Sequence, residues 1–120
     1  MRLLLSALLM VSSLSYGEAA GAAPTSTTSS LECTIGPLDK TFGGTQWLVY
    51  SCNDGKSLAI VSAPDSAASP FYFLLSPKAG RYELHGEGTG DKRATNEAYR
   101  DLKALSDTSI AAMVRQTRQH

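Results

Sequence analysis

The sequence predicts an α+β domain, in which an antiparallel sheet of about four strands is followed by two C-terminal helices packed on one face. Residues 47–87 contain apolar runs of strand length that are separated by turn residues. After residue 95 the apolar residues recur at helical spacing instead. The chain has 120 residues, which is enough for one small domain with a modest core.

The N-terminal segment has the features of a secretory signal peptide. Arg2 supplies a positive charge, an apolar run interrupted only by serines follows as far as Leu14, and small residues then offer a cleavage site. The apolar run is shorter than the ~20 residues of a membrane span. We therefore predict a signal peptide at residues 1–22, a disordered Ser/Thr-rich tail at 23–30 and one domain at 31–120. An N-terminal core helix is the alternative.

The first strands of the predicted sheet form a hairpin. Residues 31–45 are punctuated by Gly-Pro and Gly-Gly pairs, which predicts irregular segments with one short strand at most. The segment Trp47–Cys52 is rich in aromatic and β-branched residues, and Ser57–Ser62 is the return strand. Between them lies Asp54-Gly55, a dipeptide typical of hairpin turns because glycine accepts a positive φ.

Two more strands follow a loop at residues 63–70. The segment Phe71–Ser76 is almost wholly apolar, which predicts a central strand that is covered on both faces and more buried than the two before it. The segment Arg81–Glu87 alternates in polarity, with Tyr82 and Leu84 pointing to the core and the charged residues pointing away.

Two helices complete the domain. The first is predicted to be capped by Thr95 or Asn96, and the second by Ser106. Their apolar stripes consist of Ala98, Tyr99, Leu102 and Leu105 in the first helix, and of Ile110, Met113 and Val114 in the second.

The two cysteines, Cys33 and Cys52, predict a disulfide, because an even pair in an exported protein is most simply bridged. Their Cα atoms are then expected within ~7 Å of each other. The alternative is a redox or nucleophilic thiol. The sequence has neither a C-x-x-C motif nor a histidine near either cysteine to support it.

Charge and motifs argue against several functional classes. Basic and acidic residues balance at 11 each, which argues against a nucleic-acid or anionic-membrane binder. No serine lies in a G-x-S-x-G elbow and His85 is the only histidine before the C-terminal residue, so we expect neither an enzyme nor a cofactor. Glu83 and Glu87 flank His85, and all three are residue types that can bind zinc. A straight strand spaces these side chains ~7 Å apart, whereas a metal site needs them to converge. A solvated face of the sheet is therefore favoured, and no metal is predicted.

A glycine-rich run, Gly86 to Arg93, precedes the first predicted helix. Its glycines, its two cations and the helix start indicate a candidate anion or small-ligand site. The ligand-binding residues of this candidate site are Gly88, Gly90, Lys92 and Arg93. The spacing fits neither a dinucleotide fingerprint nor a Walker loop. The alternative is that the glycines only turn the strand into the helix.

The segment Tyr50 to Ile60, YSCNDGKSLAI, resembles the opening of the membrane-bound or periplasmic inhibitors of c-type lysozyme. Those proteins begin with a Y-x-C-x-D-G-x-x-L-x-V hairpin after an export signal, and the match covers about a tenth of this chain. The inhibitors' S-G-x-x-Y loop and W-x-K-G run are absent here, and the second cysteine lies upstream. The resemblance implies an exported, inhibitor-like protein and identifies no inhibitory residue. The chain also resembles small exported bacterial proteins more generally.

These observations lead to two hypotheses about function. The first is an exported, secreted or periplasmic, non-catalytic protein that binds another envelope or extracellular protein, as an inhibitor or an envelope factor, without a membrane anchor after cleavage. Phe71 and Tyr72, next to the loop at 63–70, are its candidate interface anchors. The alternative is a small-ligand or anion-binding protein that uses the glycine-rich run.

Overall fold

The structure is a computed structural model that describes residues 30–119. The predicted signal peptide at 1–22, and the tail predicted at 23–30 except for its last residue, lie outside the described residues. Within the described part, no helix is long and apolar enough to cross a membrane.

Five strands precede two helices, as the α+β prediction requires. The elements are β1 (Ile35–Phe42), β2 (Thr45–Ser51), β3 (Leu58–Ser62), β4 (Phe71–Lys78), β5 (Arg81–Gly88), α1 (Lys92–Lys103) and α2 (Asp107–Arg118). Each strand pairs antiparallel with the next, so the spatial order β1-β2-β3-β4-β5 follows the chain. The fold class is therefore confirmed, with five strands instead of about four.

The additional strand is β1, which has eight residues and is longer than the one short strand that the sequence allows for residues 31–45. Residues 31–34 are irregular, as predicted. The register of β1 with β2 is irregular only between Ile35 and Leu38, where a bulge takes up Gly36 and Pro37. An edge strand tolerates such a bulge and a proline. Gly43 and Gly44 form the tight turn to β2 with φ angles of 60° and 80°. A Gly-Gly pair is itself a hairpin signal, because both turn positions need a positive φ.

The hairpin predicted at Asp54-Gly55 is confirmed, since β2 and β3 pair in register on either side of it. The Asp54 carboxylate organises this turn. Its Oδ1 accepts hydrogen bonds from the backbone N–H groups of Lys56 at 2.9 Å and Ser57 at 2.8 Å, and its Oδ2 accepts one from the Ser57 hydroxyl at 2.6 Å. Ser57 is only 1% exposed, so its backbone N–H and its hydroxyl depend on this carboxylate, while its carbonyl accepts from the Cys52 N–H.

Removal of the Asp54 carboxylate has an expected effect that depends on pH. Burial raises the pKa of Asp54, but the hydrogen bonds from Ser57 and Lys56 outweigh burial and hold the pKa below its ordinary value of 3.8. A lowered pKa stabilises the folded state above the ordinary value, and this contribution is lost as the pH falls through the folded value. We expect Asp54→Ala to lower the free energy of unfolding by about 1–2 kcal/mol at about pH 7, because buried Ser57 loses its partner.

Urea unfolding of the wild type and Asp54→Ala from about pH 7 down to pH 2 measures this effect. The difference between the two proteins should shrink toward the acid end. Asp65→Ala, which removes an exposed carboxylate of the loop at 63–70, is the control and should match the wild type at every pH. A constant difference for Asp54→Ala would contradict the role given to its charge.

Strand β4 is not the central strand, and the prediction that it is covered on both faces is wrong. The middle of the sheet is β3, and β4 lies beside the edge strand β5. Phe73 and Leu75 are buried, whereas Tyr72 is 41% exposed and Leu74 is half-buried. In the part of the chain that the structure describes, helices cover one face of the sheet, and the alternate side chains of β4 that point to the other face remain partly exposed.

The two helices pack on the face of the sheet that carries Trp47. Helix α1 begins earlier than predicted: Asp91 caps it by accepting from the Ala94 N–H at 3.2 Å, while Thr95 is buried inside the first turns. Ser106 caps α2 as predicted and accepts from the Ser109 N–H at 3.1 Å. The buried core consists mainly of Phe42, Trp47, Val49, Leu58, Ile60, Phe73, Leu75, Ala98, Leu102, Ile110, Met113 and Val114.

The predicted disulfide joins Cys33 and Cys52, whose Cα atoms lie 3.7 Å apart. It fastens the segment before β1 to the residue that follows β2. Asn53, the next residue, donates its backbone N–H to the carbonyl of Glu32 at 2.7 Å, so the two segments are also joined by hydrogen bonding.

Candidate protein-binding face

The sheet has one face that packs against the helices and one face that does not. On the helix side, called the inner face, the hydroxyl groups of Thr117 in α2 and Ser51 in β2 are hydrogen-bonded at 2.6 Å, and the ring centroids of Phe73 and Tyr99 lie 6.3 Å apart. Side chains alternate across a strand, so the intervening residues point away from the helices. Among the described residues no helix lies over this second side, called the outer face.

The cross-strand register shows which side chains share the outer face. One row crosses all five strands and contains Asp39, Leu48, Val61, Tyr72 and Glu87. A carboxylate therefore lies at each end of a row with an apolar centre. With neighbouring strands ~4.8 Å apart, the two ends of the row are about 19 Å from each other.

A second row lies beside the first and contains Tyr50, Ala59, Leu74 and His85. The apolar members of both rows form one continuous surface, called the apolar patch: Leu48, Tyr50, Ala59, Val61, Tyr72 and Leu74. Tyr72 is 41% exposed and the other five are half-buried. Contiguous apolar surface of this kind on a soluble domain is typical of interaction sites.

Two grooves lie at the end of the outer face that adjoins the loop at 63–70. One has a volume of about 470 Å³ and is lined by Val61, Pro70, Phe71, Tyr72, Glu87, Gly88 and Thr89. The other has a volume of about 330 Å³ and is lined by Asp39, Thr45, Gln46, Ala63, Pro64, Asp65 and Ser66. Each groove contains carboxylates, and neither set of lining residues includes a lysine or an arginine.

The opposite end of the outer face carries positive charge. Lys78 and Arg81 are opposite each other in the register of β4 and β5, at the tip of the hairpin. The Lys78 ammonium lies 3.7 Å from the Glu83 carboxylate, and both side chains are largely exposed. The hairpin tip therefore carries a cluster of both signs, Lys78, Arg81 and Glu83, whereas the charged residues that line the two grooves are all acidic.

His85 lies on the outer face between the two glutamates, as its strand position predicts. Its Nε2 is 3.2 Å from Glu87 Oε2, and the two side chains are about 60% exposed. The part of the chain that the structure describes contains no group of three or more His, Cys, Asp or Glu residues placed to hold a metal ion. These side chains belong to a solvated rim beside the apolar patch.

The glycine-rich run, where the sequence predicts an anion nest, covers the end of β5, the connection and the first two residues of α1. The backbone N–H groups of Thr89 and Gly90 both donate to the Pro70 carbonyl, at 2.9 and 3.1 Å, and that of Asp91 donates to the Ala67 carbonyl at 3.0 Å. The Asp91 carboxylate also occupies the start of α1. These three N–H groups are committed within the fold. Of the predicted site residues, Gly88, Gly90 and Lys92 line one cavity of about 330 Å³, and the Lys92 and Arg93 side chains are exposed.

Close packing accounts for the alternating glycines of this run. A Cβ atom on Gly86 would lie 2.8 Å from the ring of Phe73, and one on Gly90 would overlap the carbonyl of Ala68. Gly88 would similarly collide with the Pro70 carbonyl. The glycines therefore let β5 cover the aromatic rings of β4 and let the loop at 63–70 approach the start of α1.

The apolar patch is the feature that the sequence reasoning missed, although the sequence contains its signal. Segments 47–50, 58–61 and 71–75 are apolar at successive positions, so each strand has an apolar side chain on both faces. Within residues 30–119, two helices are available to cover an antiparallel sheet of this size. Because apolar residues do not alternate with polar ones in these segments, the pattern indicates an outer face that is apolar and that the two helices do not bury.

Comparison with protein-family models, with curated protein sequences and with solved structures finds no match to this chain.

Proposed function

We propose that this chain is an exported, non-catalytic protein that binds another envelope or extracellular protein, as an inhibitor or an envelope factor, through the outer face of its sheet. The observation that carries the proposal is the apolar patch, which spans three adjacent strands and has no cover among the described residues. Solvent contact with aliphatic and aromatic side chains is unfavourable, and burial against a partner removes it.

The composition of the outer face fits contact with a protein. An exposed tyrosine, Tyr72, lies on β4 at the side of the apolar patch, next to β5 and beside a groove. Tyrosine is one of the residue types enriched among interface anchors. Charged and polar side chains surround the patch on the outer strands, as in the polar rim of an interface. The exposure of Tyr72 and its apolar neighbours support its proposed role as an interface anchor.

Export is supported by two independent features. The Cys33–Cys52 disulfide is of the kind that persists in an oxidising compartment. The N-terminal sequence has the charge, apolar run and small residues of a signal peptide. The partner is therefore sought among proteins outside the cytoplasm.

Two tyrosines provide a matched pair of variants for a test. Tyr72 on the outer face is 41% exposed, and Tyr99 on α1 is 39% exposed. We expect Tyr72→Ala to weaken partner binding by about 30-fold, as for a hot-spot residue worth ~2 kcal/mol. We expect Tyr99→Ala to change binding by less than about twofold.

The measurement is quantitative capture from the exported proteins of the native host, with each mature protein immobilised, followed by titration of the captured species. A stoichiometric partner that is lost with Tyr72→Ala and kept with Tyr99→Ala agrees with the proposal. Equal loss with both variants, or capture that neither variant affects, would contradict it. Unfolding midpoints of both variants verify that each remains folded.

A further inference from the structure

We infer that the outer face binds a basic partner: an extended protein segment whose apolar side chains lie between two cationic side chains about 20 Å apart. This inference rests on the proposed function and adds the chemistry of the partner to it. It is carried by the arrangement of charge around the apolar patch.

Three exposed carboxylates surround the end of the outer face that has the grooves. Asp39 and Asp65 line one groove, and Glu87 lines the other. The nearest basic residues on this face, at the hairpin tip, include Arg81, which is six residues from Glu87 along β5. That separation is about 20 Å, well beyond the ~8 Å screening length of physiological salt. The cations of the hairpin tip therefore do not neutralise the carboxylates at the groove end. Lys92 of α1 lines a neighbouring cavity that shares Phe71, Gly88 and Thr89 with the Tyr72 groove, but it is not among the residues that line either groove of the outer face.

The spacing of the row fits an extended chain laid across the strands. Asp39 and Glu87 lie about 19 Å apart at the two ends of the row. Six residues of extended chain span about 20 Å, and alternate side chains of such a chain point the same way. A segment with cations at its first and seventh positions thus places both over the carboxylates. Its third and fifth side chains then lie over Leu48, Val61 and Tyr72.

The groove beside Tyr72 gives one of these apolar side chains a place to bind. Its volume of about 470 Å³ and its lining by Val61, Pro70, Phe71 and Tyr72 suit an aliphatic or aromatic group. The exposed Glu87 carboxylate at its margin suits a lysine or, with two parallel hydrogen bonds, an arginine. The apolar centre thus supplies contact area, and the carboxylates select for positive charge.

A peptide array tests the inference with defined probes. The probes are seven-residue peptides with serine at positions 2, 4 and 6, leucine or tyrosine at positions 3 and 5, and arginine, glutamine or glutamate at positions 1 and 7. We expect the wild-type protein to retain about fivefold more of the arginine series than of the glutamine series at low salt, and least of the glutamate series. At ~1 M salt the arginine and glutamine series should converge.

Variants of the protein assign the effect to the two carboxylates. Asp39→Asn/Glu87→Gln should bind the arginine and glutamine series equally, whereas Glu97→Gln on the exposed side of α1 should keep the wild-type preference. Binding that depends on Tyr72 but shows no preference for arginine would overturn the inference and leave the proposed function standing. A preference that survives in the double variant would also overturn it. If no series binds in a Tyr72-dependent way, the inference is contradicted, and the capture experiment with Tyr72→Ala and Tyr99→Ala decides the proposed function separately.

Discussion

Trp47→Ala lowers the free energy of unfolding by about 3–5 kcal/mol, the range for removing a large aromatic side chain from a core. Trp47 is completely buried, and its ring centroid lies 5.3 Å from that of Phe73 and 6.5 Å from that of Phe71. Its indole N–H donates to the Phe42 carbonyl at 3.2 Å and to Thr45 Oγ1 at 2.9 Å. The substitution therefore leaves a cavity and removes a donor shared by two acceptors.

The measurement is urea unfolding followed by far-ultraviolet circular dichroism, because the variant lacks the only tryptophan. Trp47→Phe is the matched control. It keeps an aromatic ring in the core and loses the indole N–H, so a smaller loss of about 1–3 kcal/mol is expected. A small domain has a total free energy of unfolding of ~5–15 kcal/mol, so the alanine variant should lose a large share of it. A loss below about 1 kcal/mol would contradict the central place of Trp47 in the core.

Removal of the disulfide is expected to have the next largest effect. The bridge joins residues 19 apart in sequence, and on the chain-entropy model closing such a loop contributes about 3 kcal/mol. Cys52 is completely buried, so its replacement also removes packed side-chain atoms. We expect Cys33→Ala/Cys52→Ala to lose about 3–4 kcal/mol of unfolding free energy.

Chemical unfolding with and without a reductant separates the bridge from the packing. The reductant should lower the stability of the wild type toward that of the double variant and leave the double variant unchanged. A double variant as stable as the oxidised wild type would contradict the stabilising role given to the bridge. Free-thiol titration of the oxidised protein should find no reactive cysteine.

Local sequence signals predict much of the fold, because they depend on neighbouring residues. The Asp54-Gly55 turn, the alternation of β5 and the Ser106 cap follow from the chemistry of a few adjacent side chains. The start of α1 does not. Its cap is Asp91 instead of Thr95 or Asn96. The preceding residue, Gly90, packs against Ala68 of the loop at 63–70, and a contact between residues this far apart in sequence is not visible in the local pattern.

The candidate site is less predictable because it depends on which face of the sheet the two described helices leave uncovered. An apolar run such as 71–75 is compatible with cover on both faces or with one exposed apolar face. Only the packing of both helices on the inner face decides between them. The same limit affects the glycine-rich run, since the spacing of Gly88 and Gly90 suggests a nest, whereas their position against Pro70 and Ala68 shows close packing.

Site-specific photocrosslinking in the native host tests the central claim most directly. A photoreactive phenylalanine analogue is placed at position 72 on the outer face or at position 99 on α1, where the two native tyrosines have nearly equal exposure. The outer-face account predicts one discrete crosslinked protein from position 72, and none of that mass from position 99. A discrete product from position 99 alone, or no product from position 72 when the protein is folded and exported, would contradict binding through the outer face.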